Sequence, residues 1–417
     1  MTVGVPGGLA LTSSIRARAV PVVGGAPTRA QPWAPWPHFA EEELSAVAAV
    51  LRSGRVNYWT GEEGRRFEEE FARAVGCHYG VALANGSVAL EAALRAVGVG
   101  PGDDVVVTCR SFVASASSVV LVGARPIFAD VDPESQNITA ATVRKVLTPK
   151  TRALIAVHLA GWPCDMDPLM ELTKEHRLAI IEDCAQAHGA TYRGRPVGSL
   201  GHVAAWSFCQ DKIMTTGGEG GMVTTNDETI SKHVWSYKDH GKSYDAVHAS
   251  SRGTGFRLHE SFGTNWRMTE MQAALGRVML QKLTRWVEAR RRNAEILTRG
   301  FRELAALRVT EPPSHVAHSY YKYWAFVRPE RLRRGWGRDE VVAAVNDAGV
   351  PCLAGNSQEI YREQAFVEAR LGPRERLPVA ARLGETSLMF MVHPTLGHVQ
   401  MDATVRAVRT ALERATA

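Results

Sequence analysis

The chain lacks any Cys-x-x-Cys pair: its six cysteines stand at 77, 109, 164, 184, 209 and 352. That spacing excludes the common zinc-ribbon and finger patterns, and no metal site is expected. Scattered through apolar and loop sequence, these residues read as free thiols of a reducing compartment. Long hydrophobic runs are also missing, so no membrane span is expected. No run of five or six Lys/Arg occurs and the net charge is only +6, which leaves nucleic-acid binding without support. There is no internal repeat or low-complexity tract. No charged leader with a sustained apolar stretch opens the chain, and a cytoplasmic protein is expected.

What remains is ordinary globular material in quantity. With 417 residues, 45% of them hydrophobic, the chain can bury a large core and is expected to form two domains. The Gly- and Pro-rich residues 1–30 read as a flexible N-terminal arm. A large domain is expected over 31–290 and a smaller α+β domain over 291–417.

From about residue 80 short apolar runs alternate with helical periodicity. Strands are expected at 81–84, 104–108, 126–129, 153–157, 178–181, 203–208 and 221–225. Helices are expected at 41–52, 63–75, from Ser87, and over 112–121, 139–147, 166–176 and from Thr269 to about 290. Alternation of this kind specifies an α/β fold with a mainly parallel sheet of about seven strands, flanked by helices on both faces. The strands read as unbroken apolar runs, as burial on both faces requires.

Three segments carry chemistry. The strand around Ala205–Ser207 leads to Lys212 and then to Gly217, Gly218, Gly220 and Gly221. A lysine at the end of a buried strand faces a cleft, where desolvation turns its amine into a nucleophile toward an aldehyde. A solvated surface lysine is the plainer alternative. The strand ending in Glu182 and Asp183 puts a carboxylate at the carboxyl edge of the sheet, where open α/β sheets bind ligands. Asp183 either pairs with a protonated ring nitrogen or caps the next helix. Gln186, three residues on, has the reach to bond a ring hydroxyl. Ala84-Asn85-Gly86-Ser87 is a strand, a tight turn and a helix start, whose free N–H groups make either an anion site or a simple cap.

In this order the segments resemble the DegT/StrS sugar aminotransferases, a branch of the fold-type I pyridoxal-phosphate (PLP) enzymes. The resemblance runs from about Gly25 to the C-terminus. It is carried by Asn85-Gly86-Ser87, Ser111-Phe112, Glu182-Asp183 with Gln186 and His188-Gly189, Ser207-Phe208 with Lys212, Gly218–Gly221, and Gly263–Glu270. It implies Lys212 as the Schiff-base lysine and Asp183 as the partner of the pyridine nitrogen, both catalytic. Gln186 would contact the ring hydroxyl and Phe112 would stack on the ring. Gly86, Ser87 and Ser207 would hold the phosphate. Asn265 would reach the phosphate in the neighbouring subunit, which implies a homodimer with shared active sites.

The implied reaction moves an amino group from glutamate or glutamine to a keto sugar, nucleotide-linked, or to a keto cyclitol. It would serve amino-sugar, antibiotic or surface-polysaccharide biosynthesis. Two alternatives stay open: an enzyme like aminohydroxybenzoate synthase, and a PLP-dependent keto-sugar dehydratase. In the resembling dehydratases a histidine replaces the lysine, so Lys212 argues against the second. Gly24–Pro27 with Trp33–Pro37 resembles the branch that holds the first. Asp211, directly before Lys212, departs from the family pattern. Further candidate substrate contacts are His188, Tyr58, Lys242 and His318, with Trp59, His240, Tyr321 and His393 behind them.

Overall fold

The computed structural model describes residues 33–249, 258–355 and 358–416. The expected arm over residues 1–30, with Gly24–Pro27, lies outside the described residues. Residues from Trp33 onward form one compact unit.

Its centre is a seven-stranded sheet. In chain order the strands are β1 (Tyr79–Leu83), β2 (Asp104–Thr108), β3 (Arg125–Ala129), β4 (Thr151–Val157), β5 (Ala179–Asp183), β6 (Val203–Ser207) and β7 (Gly221–Thr225). Their order across the sheet is β1-β7-β6-β5-β4-β2-β3. β7 alone runs antiparallel to its two neighbours; the other four pairings are parallel. The α/β reading is correct. Runs such as Val105–Val107 and Leu154–Val157 are buried along their whole length, because helices cover both faces.

Register sets the site. Val157 pairs with Asp183, Asp183 with Ala205, Ser207 with Gly221, and Gly221 with Leu83. Asp183 and Ser207 therefore finish adjacent parallel strands at the same edge. The end of β1 lies close by, across the single antiparallel strand.

Among the helices, α1 (Glu41–Ser53), α2 (Glu63–Ala74), α3 (Gly86–Ala96) and α4 (Ala114–Leu121) precede β3. The expected helix over 139–147 is cut to Ala140–Arg144, short of the turn that carries Pro149. The helix expected from Thr269 starts on a Thr269/Gln272 capping box and runs as α5 (Glu270–Arg302), 33 residues long. Residue 290 thus falls inside a helix. Beyond it, β8 (Leu307–Val309), β9 (Tyr323–Val327), β10 (Cys352–Leu353) and β11 (Ser387–Phe390) form an antiparallel sheet in the order β8-β9-β11-β10. Leu297 and Phe301 of α5 join Tyr323, Val327, Val341, Phe390 and Val408 in a second hydrophobic cluster, separate from that of the large sheet. Among the described residues no helix is long and apolar enough to cross a membrane.

Candidate active site

A cavity of about 520 Å³ opens at the carboxyl edge of the large sheet. Its lining includes Gly86, Ser87, Phe112, Asp183, Gln186, Ser207 and Lys212. Seven candidates from four separate stretches of chain thus meet in one place, because the register brings the ends of β1, β5 and β6 together.

Asp183 is 4% exposed. Its Oδ2 accepts a hydrogen bond from Ser115 Oγ (2.7 Å) and its Oδ1 accepts one from the Ala185 N–H (3.2 Å). Burial raises its pKa, only partly opposed by those two donors, Lys212 and His158. A buried carboxylate with a hydroxyl and one amide as close partners lacks a cation. A protonated ring nitrogen would supply what is missing.

The phosphate end fits as well. Asn85 caps α3, its side chain accepting from the Val88 N–H (3.1 Å). The first-turn N–H groups of Gly86 and Ser87 have no intrahelical acceptor and point out of the helix start. A Cβ on Gly86 would lie 2.5 Å from Ser207 Cβ and 3.0 Å from Ser207 Oγ. Only glycine leaves room between the α3 start and β6. Gly221 is likewise required, since a Cβ there would sit 2.2 Å from the Asn85 carbonyl oxygen.

Lys212 follows β6 by five residues and its side chain is 13% exposed. Its Nζ stands 3.9 Å from Asp211 Oδ1 and 4.9 Å from the centre of the Tyr321 ring. The backbone there is anchored: the Lys212 carbonyl accepts from Trp36 Nε1 at 2.8 Å. Gln186 Oε1 accepts from the Ala160 N–H (2.8 Å), which fixes the amide beside the cavity. Phe112 is half exposed at the mouth, the position a ring-stacking residue needs.

Beneath Asp183 lies a buried support. Glu182 Oε1 accepts from the N–H groups of Leu200 (2.8 Å) and Gly201 (2.6 Å). Its Oε2 accepts from His158 Nε2 (2.9 Å) and the Gly198 N–H (2.9 Å). Burial would raise this carboxyl, but His158 and the Gly198 and Gly201 amides hold it below the usual carboxylate range. His158, Glu182 and Cys184 bring their donor atoms within 4.8 Å of one another. The polar atoms of the first two are committed to the hydrogen bonds just given, and His158 Nδ1 accepts from the Cys164 N–H (3.0 Å).

Four candidate substrate residues do not line this cavity. His188 is fully buried against Phe71, Trp206 and Phe208, with neither ring nitrogen hydrogen-bonded. Burial pushes its pKa down to about 3, so the ring is neutral core. Tyr58 is buried and donates to Glu68 Oε2 (3.1 Å), under the Lys238 ammonium. His318 stacks on Tyr320 at 3.8 Å and accepts from the Tyr320 N–H (2.8 Å). Lys242 pairs with Asp239 at 3.0 Å over the Trp59 ring. Asn265 is exposed outside the cavity, bridged to Asp239.

The cavity adds residues that the sequence did not single out for it: Ser115, Lys322, Trp324 and Met389. Ser115 had a faint signal, a hydroxyl inside the expected helix four residues after Ser111; its Oγ lies 3.2 Å from Ser111 Oγ. Lys322 had none.

Comparison with known proteins gives consistent relatives. The family profile for DegT/DnrJ/EryC1/StrS aminotransferases matches residues 37–409. An aminotransferase structure from Psychrobacter cryohalolentis is 52% identical, with a TM-score of 0.90, covering 92% of this chain and all of that one. A putative L-glutamine:3-amino-2,3-dideoxy-scyllo-inosose aminotransferase of Streptoalloteichus tenebrarius is 35% identical over 395 residues, 89% of this chain and 92% of the relative. GDP-perosamine synthase of Caulobacter vibrioides is 36% identical over 360 residues, 84% and 91% of the two chains.

Proposed function

The chain belongs to the DegT/DnrJ/EryC1/StrS aminotransferase family, and from that premise we propose that it is a PLP enzyme carrying an amino group from glutamate or glutamine to a keto sugar or keto cyclitol. The fold is PLP fold type I and the activity is that of an aminotransferase. One observation carries the site assignment: Lys212, Asp183 and the Gly86–Ser207 cradle line a single cavity. Relatives named for a keto-cyclitol and for a GDP-linked amino sugar support the acceptor class.

When bound, PLP supplies an aldehyde for the amine and a ring that draws electrons from the adjoining carbon. The chain's own residues do the rest. Lys212 holds the cofactor and, once released, accepts a proton from the donor's α-carbon and returns it. Asp183 keeps the ring nitrogen protonated. Gln186 takes the ring hydroxyl. Gly86, Ser87 and Ser207 grip the phosphate, and Phe112 covers the ring.

A homodimer with shared sites and a cytoplasmic setting belong to the same reading. Asn265 is exposed next to the loop of Phe262, a fully exposed phenylalanine, and this supports its reaching a second subunit. All six cysteines are free. The division into a cofactor-holding part over 31–290 and a smaller part over 291–417 draws support from the second hydrophobic cluster, which begins at Ala294, whereas Val316, Phe326, Ile360 and Phe366 pack into the first.

The test is spectroscopic. PLP added to the protein is expected to give an absorbance band at roughly 410–430 nm, bleached by L-glutamate or L-glutamine. A panel of nucleotide-linked keto sugars and inososes then identifies the acceptor by the band's return. Lys212→Ala is expected to lose both band and turnover; a fully active Lys212→Ala protein would refute the assignment.

A further inference from the structure

Asp211, the departure from the family pattern, has a partner that no pattern disclosed. Lys322 enters the cavity immediately before β9, its side chain 11% exposed. Its Nζ lies 3.9 Å from Asp211 Oδ2 and 4.7 Å from the centre of the Tyr321 ring. Lys212 stands 3.9 Å from the other Asp211 oxygen and 4.9 Å from the same ring. Two amines thus share one carboxylate and one aromatic ring.

Lys322 is poorly satisfied. Among the described residues its closer polar contact is Met391 Sδ at 3.3 Å, a weak acceptor for an ammonium. Burial lowers its pKa to about 8 against the upward pull of Asp211, and Arg290 and Lys212 lower it further. Arg290 stands behind: fully buried, it donates to the Tyr321 carbonyl (3.1 Å), while its Nε and Nη2 have no partner. This corner of the cavity is therefore cationic and short of anions. Asp211 is 52% exposed and hydrogen-bonded by the Tyr321 hydroxyl, so it has room to turn aside for another anion.

We propose that Lys322 binds the carboxylate of the amino donor, with Asp211 holding it in place beside Lys212 until the donor arrives. The proposal rests on the reading of Lys212 as the cofactor-holding amine. An α-amino acid that exchanges with that amine carries its carboxylate two bonds from the exchanging nitrogen. The cation that receives the carboxylate must then flank Lys212 closely, and Lys322 does. Distal parts of an acceptor are under no such constraint. A carboxylate entering here gains a charge-assisted hydrogen bond where water is scarce.

The experiment reads binding apart from turnover. Calorimetric titration of the PLP-loaded protein uses succinate, an unreactive dicarboxylate, and separately a nucleoside diphosphate as an acceptor-like anion. Lys322→Gln is expected to weaken succinate about tenfold or more, and Lys322→Arg to recover part of that loss. In the L-glutamate half-reaction, Lys322→Gln should raise the half-saturating concentration by a like factor and change the limiting rate far less. Because the ammonium form binds the anion and burial lowers the Lys322 pKa, wild-type succinate affinity should fall as pH rises through the alkaline range in which that amine loses its proton. Lys322→Gln should lack that limb. Unchanged succinate affinity in Lys322→Gln, a flat wild-type profile across that range, or a loss confined to the nucleoside diphosphate would each overturn the proposal. Should Lys322→Gln fail to fold, the wild-type profile still decides. A protein that never forms the Lys212-dependent band fails the cofactor reading instead, which separates the two.

Discussion

Replacing Glu182 by glutamine changes one atom in a site that accepts four hydrogen bonds. The carboxylate receives two N–H groups on each oxygen: Leu200 and Gly201 on one, His158 and Gly198 on the other. His158 Nδ1 already accepts from the Cys164 N–H, so the ring carries its proton on Nε2 and donates to Glu182. Glutamine offers one acceptor oxygen. In either orientation its NH2 faces two donors, and two buried N–H groups lose their acceptor. Each unpaired buried donor costs about 1–3 kcal/mol, and relaxation recovers part, so a net loss of roughly 3 kcal/mol is expected. Urea unfolding of the cofactor-free protein at neutral pH, followed by tryptophan fluorescence, measures it. The pH dependence carries a sign. Glu182 is held below the usual carboxylate range. Its contribution is therefore fully present above the unfolded carboxyl pKa of about 4.3 and is lost only as pH falls through the lower folded value. The gap between wild type and Glu182→Gln should stay constant from neutral down to about pH 5 and close in stronger acid. A loss under about 0.5 kcal/mol at neutral pH would refute the accounting.

Three other outcomes follow from the same geometry. Gly86→Ala should weaken PLP about tenfold or more, because its Cβ falls 2.5 Å from Ser207 Cβ and closes the phosphate cradle; unaltered affinity in a fluorescence titration would remove Gly86 from the site. Asp183→Asn should unfold without cofactor no more easily than wild type, since a neutral amide avoids burying a charge, yet bind PLP more weakly. The raised pKa of Asp183 means its stabilising share is present below the unfolded carboxyl pKa and disappears as pH rises; Asp183→Asn should therefore show less decline over that acidic range, and an identical decline would refute the account. His188→Leu should stay within about 1 kcal/mol of wild type, because both ring nitrogens are unpaired among aromatic rings. Its L-glutamate half-saturation should not move; a severalfold rise would return His188 to the substrate.

The difference between what could and could not be read from the chain has a physical origin. Strands β2, β4 and β5 were legible because burial on both faces demands unbroken apolar runs. Asp183, Ser207 and Gly86 were legible for a related reason: a parallel sheet has one carboxyl edge, and polar or glycine residues just beyond apolar runs collect there. Side-chain direction beyond a strand end has no such rule. His188 follows Gln186 by two residues, yet Gln186 lines the cavity while His188 points into an aromatic cluster. Chemical type suggested a ligand contact for His188, His318 and Tyr58, but packing assigned all three to buried surroundings.

Lys322 failed to register for the opposite reason. Its meaning comes from Asp211 and Tyr321, and only tertiary packing puts Asp211 and Lys322, 111 positions apart in the chain, within 3.9 Å. The end of this cavity that holds Asp183, Ser207 and Gly86 is therefore written in local motifs at strand ends, which composition and order can reveal. The end that holds Asp211 and Lys322 is assembled from the loop after β6 and the residue before β9, where neither segment is informative alone. If Asp211 and Lys322 act as proposed, substrate choice can change through them without disturbing the register that places Asp183 beside Ser207.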